Sequence, residues 1–309
     1  MSAAERDMPP MSDLGVLDGD VLIFGGPVGN LQATEAILEA ATQHGIPGAR
    51  IICTGDVAAY GADPEPTVQC LRAAGVHVVR GNCEDALGAD AGDCGCNFES
   101  GSSCDALAGQ WYAYTRAALS EETRAWMAAR PPAIRFELAG RPLLAAHGAP
   151  SQINRWVFPS TSDQDKALEV ALSGADGVVA GHAGIPFVET VQGYLWLNAG
   201  SVGLPANDGT PRGWYAIMSP DAEGRITVTL TSLAYAYEAA ATRMRAVGLP
   251  EAYATCLETG RWPGEDVLPP HERAEAGQPI HDPQHLVWTR DMTATTAHAG
   301  KATACPCCG

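Results

Sequence analysis

Five short, mostly apolar runs in this chain each stop on a glycine or polar residue of the kind that closes a strand. Val21-Leu22-Ile23-Phe24 ends at Gly25-Gly26, Arg50-Ile51-Ile52-Cys53-Thr54 at Gly55-Asp56, and Val76 to Arg80 at Gly81-Asn82. Pro142 to Ala146 ends at His147-Gly148, and Val178 to Ala180 at Gly181-His182. Continuous apolar runs of this length are the pattern of strands buried on both faces, which need a covering layer on each side. Helical periodicity supplies such layers over 31–44, where Leu31, Ile37, Leu38 and Ala41 share a side, and over about 64–74, 106–119, 164–172 and 235–247. Ser120-Glu121-Glu122 opens a further helix with an N-cap and first-turn acids. Hairpins are expected at Ala139-Gly140-Arg141 and at Gln192-Gly193, and strands over 213–218 and 225–233 complete the sheet. The fold class is α/β, a mixed β-sheet core or sandwich flanked by helices.

In such a fold the loops at the carboxyl ends of strands converge on one crevice. Asp56, Asn82, His147 and His182 each directly follow a predicted strand, so four dispersed side chains are expected to meet at one point. Oxygen and imidazole donors together suit one divalent transition metal, Mn, Fe, Zn, Ni or Co, better than Ca or Mg.

The chain of 309 residues, 46% of them hydrophobic, is long enough for one large domain with appendages. Its organisation reads as a flexible lead over 1–18, a domain over 19–248 with an insertion at 87–105, and an irregular extension over 249–309 ending in cysteines. A formal charge of -17 opposes binding of a nucleic acid duplex, while a small phosphorylated ligand can still be held through a metal. No apolar run approaches the roughly 20 residues of a membrane span, and residues 1–13 lack the apolar centre of a signal peptide, so a cytoplasmic protein is expected.

The blocks after these strands resemble the signatures of the calcineurin-like metallophosphoesterases, especially the small bacterial phosphodiesterase type. Gly29-Asn30 stands in the block D-x-H-G-N, Gly55-Asp56 in G-D, Gly81-Asn82-Cys83-Glu84 in G-N-H-D, His147-Gly148 in the fourth block and Gly181-His182-Ala183-Gly184 in G-H-x-H. The resemblance spans roughly Val21 to Met218. It implies that Asp56, Asn82, His147 and His182 are the ligands of one metal site, and that Cys83 stands where many members place a catalytic proton donor, with Glu84 replacing the usual Asp. It also implies a loss: Gly26, Val28 and Gly184 occupy the positions of donors to a second ion and bring no donor atoms.

Ten cysteines in a reducing compartment read as metal-binding, redox or buried thiols rather than as a disulfide framework. Cys53 and Cys70 fit buried small hydrophobes. The clusters Cys94-x-Cys96 with Cys104, and Cys305-x-Cys307-Cys308, are candidate thiol ligands for a metal or cluster, although neither has zinc-finger spacing. Three functions follow: a divergent metal-dependent phosphoesterase with one retained site, Cys83 or Glu84 assisting the leaving group; a thiol-rich metal-binding or redox protein on the same scaffold; or a non-catalytic module binding a phosphate or nucleotide.

Overall fold

The computed structural model describes residues 10–289 and arranges them as two six-stranded mixed sheets packed face to face, with helices on both outer sides. In one sheet β2 (Val21–Phe24), β3 (Ile51–Cys53) and β4 (His77–Val78) run parallel, and β10 (Gly213–Pro220), β11 (Ile226–Leu233) and β12 (Gln284–Trp288) extend it antiparallel from β2. The other sheet has the order β1 (Ser12–Val16), β5 (Ala133–Leu138), β6 (Arg141–Ala146), β7 (Gly177–Ala180), β9 (Tyr194–Asn198), β8 (Phe187–Val191). Its two hairpins turn at the expected residues, and β6, β7 and β9 run parallel.

The two-residue period of a strand explains why β2 reads as an unbroken apolar run. Val21 and Ile23 point between the sheets, against Ile134, Phe136, Val179 and Leu195. Leu22 and Phe24 point outward into a core shared with Ile37 of α1 (Leu31–Gln43) and Val68 and Leu71 of α2 (Pro64–Ala73). On the opposite face of the molecule, Val178 and Trp196 pack against Val170 of α6 (Asp163–Ser173). Parallel β2, β3 and β4 and parallel β6 and β7 thus deliver their carboxyl ends to the same rim.

Several expectations need correction. The lead is not wholly flexible: β1 pairs in parallel with β5 at the edge of the sheet, although its alternating, half-exposed side chains gave no buried run to read. Asn82, Cys83 and Glu84 form the first turn of α3 (Asn82–Gly88) rather than a loop. Of the insertion, 89–102 is irregular, and α4 (Ser103–Ala118) begins before its expected end, capped by the Ser102 hydroxyl accepting from the Asp105 N–H; α5 (Glu121–Ala128) follows. The segment after 248 is irregular between elements but carries α8 (Glu251–Thr259), α9 (Pro270–Glu275) and β12, after α7 (Tyr237–Ala246). Tyr253 and Leu257 enter the outer core and Trp288 the inner one, so few but large apolar side chains anchor a stretch whose composition is polar. Cys305, Cys307 and Cys308 lie outside the described residues. No helix among the described residues is long and apolar enough to cross a membrane.

Candidate metal centre

Thr54, Gly55 and Asp56 follow β3, Gly81 and Asn82 follow β4, His147 follows β6, and Gly181 and His182 follow β7. The approach is close: a Cβ on Gly55, which has φ +102°, would lie 2.8 Å from the Gly81 nitrogen and 2.9 Å from His147 Nδ1, so only glycine fits between these loops. Asp56 and His182 are themselves held in the left-handed region, at φ 56° and 57°. Such conformations persist where surrounding contacts over-determine them.

The ligating atoms of Asp56, His147 and His182 lie within 4.8 Å of one another. His147 is the hub. Its Nδ1 sits 2.7 Å from the carbonyl oxygen of Thr54, which can only accept, so Nδ1 carries the proton and Nε2 turns its lone pair inward. Around Nε2 stand Asn82 Oδ1 at 3.0 Å, His182 Nδ1 at 3.1 Å and Asp56 Oδ2 at 3.3 Å. Asn82 is oriented by its amide N–H, which donates to the Cys94 carbonyl at 2.9 Å and leaves Oδ1 facing His147. His182 Nε2 finds no hydrogen-bond partner among the described residues. With both imidazoles neutral, at most one proton, on His182 Nδ1, stands between four acceptors crowded on one point. A cation satisfies such a set, and its oxygen and nitrogen donors fit a divalent transition ion.

Without an ion, the electrostatics favour a proton on His147, in the place a cation would take. Burial raises the Asp56 carboxyl, but the His147 charge and hydrogen bond outweigh it and bring it down to about 2. Burial, then repulsion from His147, pushes His182 down to about 3, which keeps it neutral with one nitrogen lone pair free. Burial lowers His147, and Asp56 overcomes it, leaving the ring above its ordinary range.

The residues expected to assist catalysis are placed differently. Cys83 is buried in the outer core with its thiol pushed well up by burial, and it is not among the residues lining the cavity; it serves Asp56 through its backbone N–H, which donates to Oδ1 at 3.2 Å. Glu84 is fully buried. Its carboxylate accepts the backbone N–H groups of Asp56 at 2.8 Å, Val57 at 2.7 Å and Gly81 at 2.8 Å, tying the two ligand-bearing loops together. Burial and then the Asp56 charge raise this carboxyl, while the N–H donors work against them.

The thiols separate. Cys94 and Cys96 stand paired as a disulfide, with Cα atoms 5.3 Å apart. They lie behind Asn82, whose amide is 3.4 Å from Cys96 Sγ. Cys104 is a free, buried thiol on the cavity wall.

Above the centre opens a cavity of about 90 Å³. Gly26, Val28 and Gly184 line it beside Asp56, His147 and His182, and most of the wall is apolar or aromatic: Tyr60, Phe98, Trp156, Leu204, Tyr253 and Trp262. Trp156 lies on His182 with ring centroids 3.9 Å apart. The aromatic wall escaped sequence reasoning because Phe98, Trp156 and Trp262 sit on irregular segments, where no period marks a side chain as facing a site.

Residues 28–223 match the calcineurin-like phosphoesterase superfamily domain, and the chain belongs to that superfamily. It is 27% identical over 195 residues to an uncharacterized protein of Methanocaldococcus jannaschii, an alignment covering 59% of this chain and 73% of that one. Among solved structures it is similar to a metallophosphoesterase from Sphaerobacter thermophilus, with TM-score 0.60 and 25% identity over 78% of this chain and 98% of the other. A hypothetical protein from Pyrococcus horikoshii shares the fold, with TM-score 0.65 and 18% identity over 79% and 99% of the two chains.

Proposed function

We propose that this chain is a divergent, metal-dependent phosphoesterase of the phosphodiesterase type that works with one ion. The observation that carries this reading is the convergence of Asp56, Asn82, His147 and His182, with the Asn82, His182 and Asp56 donor atoms 3.0 to 3.3 Å from His147 Nε2. These four residues would hold a divalent transition ion, which supplies Lewis-acid polarisation of a phosphoryl oxygen. The Thr54 carbonyl fixes the tautomer of His147, Cys94 fixes the face of Asn82, and Glu84 holds the loops of Asp56 and Asn82 in register.

Charge favours a diester. A dication with one carboxylate and three neutral ligands leaves a net charge of +1 on the coordination shell, and among the described residues no Lys or Arg lines the cavity. A monoanionic phosphodiester is neutralised there, whereas the dianion of a phosphomonoester is not. The second half-site offers no donor at Gly26, Val28 or Gly184, and its walls stand close. A Cβ on Gly26, at φ +46°, would lie 2.7 Å from Ser201 Oγ, Val28 is buried, and a Cβ on Gly184 would meet the Trp262 ring at 3.4 Å.

The decisive assay compares bis(4-nitrophenyl) phosphate with 4-nitrophenyl phosphate on metal-loaded protein. Turnover of the diester in preference to the monoester, lost in His182→Ala, is expected; no hydrolysis of either by protein carrying a full ion would overturn the enzymatic reading. The second reading, a non-catalytic phosphate-binding module, draws support from the burial of Cys83, which leaves the cavity without the proton donor that the family resemblance implies. It requires binding of the diester without turnover. The disulfide between Cys94 and Cys96 lends no support to a thiolate centre.

A further inference from the structure

The cavity combines one small polar floor with an extended aromatic wall assembled from three distant parts of the chain. Phe98 comes from the insertion, Trp156 from the loop after β6, and Trp262 from the segment after α8. Each is locked from behind. Trp156 stacks against Phe158 with planes 2° apart and centroids 6.0 Å apart, and lies 6.3 Å from the Phe98 ring. Trp262 donates its indole N–H to the Pro205 carbonyl at 2.7 Å and its backbone N–H to Asn207 Oδ1 at 2.8 Å, so the ring is held over Gly184. The segment carrying it is pinned to α4, where the Ser103 hydroxyl donates to Asp266 at 2.6 Å.

Rings held this firmly present flat faces at low entropic cost. Charged arms are not accommodated, since the lining residues include no Lys or Arg and Asp56 is their one carboxylate. The inner space of about 90 Å³ is of the order of the roughly 150 Å³ apolar cavity that takes a benzene ring.

We propose that the apolar side of this cavity is a subsite for one single-ring aryl group, so that the ligand is a small monoanionic aryl ester whose ring packs against the wall formed by Phe98, Trp156 and Trp262 while its anionic group reaches Asp56, His147 and His182. The proposal rests on the one-ion centre above as anchor of the anion. It names the arm that the centre accepts, and it holds whether or not the ligand is turned over.

Titration calorimetry with two non-hydrolysable monoanions, phenylphosphinate and methylphosphinate, tests it on metal-loaded full-length protein whose metal content is measured in the same samples. Wild type is expected to bind phenylphosphinate at least about 10-fold more tightly, because burial of one ring against aromatic faces gains about that factor. Trp262→Ala and Trp156→Ala should each remove most of that advantage while leaving methylphosphinate affinity within about threefold, and Trp262→Phe, which keeps a ring, should retain it. Equal affinities of the two probes for metal-loaded wild type would overturn the aryl subsite and leave the metal centre standing. Parallel weakening of both probes in Trp262→Ala and Trp262→Phe would assign Trp262 to scaffolding and overturn it as well. Protein that carries no metal and binds neither probe would overturn both the anchor and the subsite. Ring-selective binding without diester turnover would uphold the subsite and refute the enzymatic reading alone.

Discussion

Glu84 stands at a position where the family resemblance points to chemistry, yet its geometry points to scaffolding, and replacing it by Gln separates the two. The carboxylate is fully buried and accepts three backbone N–H groups, at 2.7 to 2.8 Å, from the loops that carry Asp56 and Asn82. Burial and the Asp56 charge raise this carboxyl to about 7, so the assay belongs above that pH, where hydrogen bonds to the charged acceptor contribute about 1.5–3 kcal/mol each. In its better orientation a Gln amide keeps one oxygen for the Asp56 and Gly81 donors, weakens both by losing the charge, and turns its NH2 toward the Val57 N–H, leaving that donor unpaired. The loss should come to about 3 kcal/mol, and to about 5 kcal/mol for Glu84→Ala, where all three donors are orphaned. At about 2–4 °C per kcal/mol for a chain of this size, Glu84→Gln should melt about 6–12 °C below wild type by circular dichroism. It should also bind metal more weakly, because Asp56 loses the clamp on its left-handed backbone. A variant that melts with wild type and keeps its ion, but no longer hydrolyses the diester, would refute the structural role and return Glu84 to proton transfer.

Three further outcomes follow from the same geometry. Metal affinity should fall as the pH drops through the range just above the ordinary imidazole value of about 6.5: Asp56 raises His147 despite its burial, so as the pH falls the proton competes for Nε2, and equilibrium dialysis across this range that showed no loss of metal would contradict the assignment of His147 as hub. Combining Gly26→Asp, Val28→His and Gly184→His, the obvious way to install a second ion from sequence alone, should fail to raise stoichiometry above one and should lower stability, since Gly26 and Gly184 have φ of +46° and +67° and their added side chains meet Ser201 and Trp262; two ions per chain would show that the wall yields. Replacing Cys94 and Cys96 by Ser should leave a metal complement of one per chain, because the shorter of the Asn82 amide contacts goes to the Cys94 backbone carbonyl, which the substitution keeps; loss of the ion would make the sulfurs part of the centre.

The rim of the fold was legible because its causes are local. Apolar runs such as Val21–Phe24 need two covered faces, and the Gly55-Asp56, Gly81-Asn82 and Gly181-His182 steps mark where parallel strands stop, which places their side chains near one another. Other features depend on contacts that no window of sequence contains. The backbone N–H groups on which Glu84 acts belong largely to a loop 27 and 28 residues away, so the carboxylate reads as an altered ligand until the loops are seen together. Strand β1 alternates between half-buried and exposed residues at a sheet edge and lacks the continuous apolar signal of β2. Beyond 248, Trp262 and Trp288 each occupy a site prepared by distant residues, Pro205 and Asn207 for one and Gly193 for the other, and their surroundings are too polar to betray them. Cys94 and Cys96, two residues apart, have the spacing of ligands as much as of a bonded pair, so the sequence leaves their state open.

The central claim is that Asp56, Asn82, His147 and His182 hold one ion and that the described residues offer no second site beside it. Elemental analysis of wild type, His147→Ala and His182→Ala, each purified without chelator and checked for native melting, addresses it most directly. One equivalent of a divalent transition metal per wild-type chain, falling below about 0.2 in both variants, is the predicted result. Two equivalents in wild type, or one equivalent retained when either histidine is removed, would contradict the account.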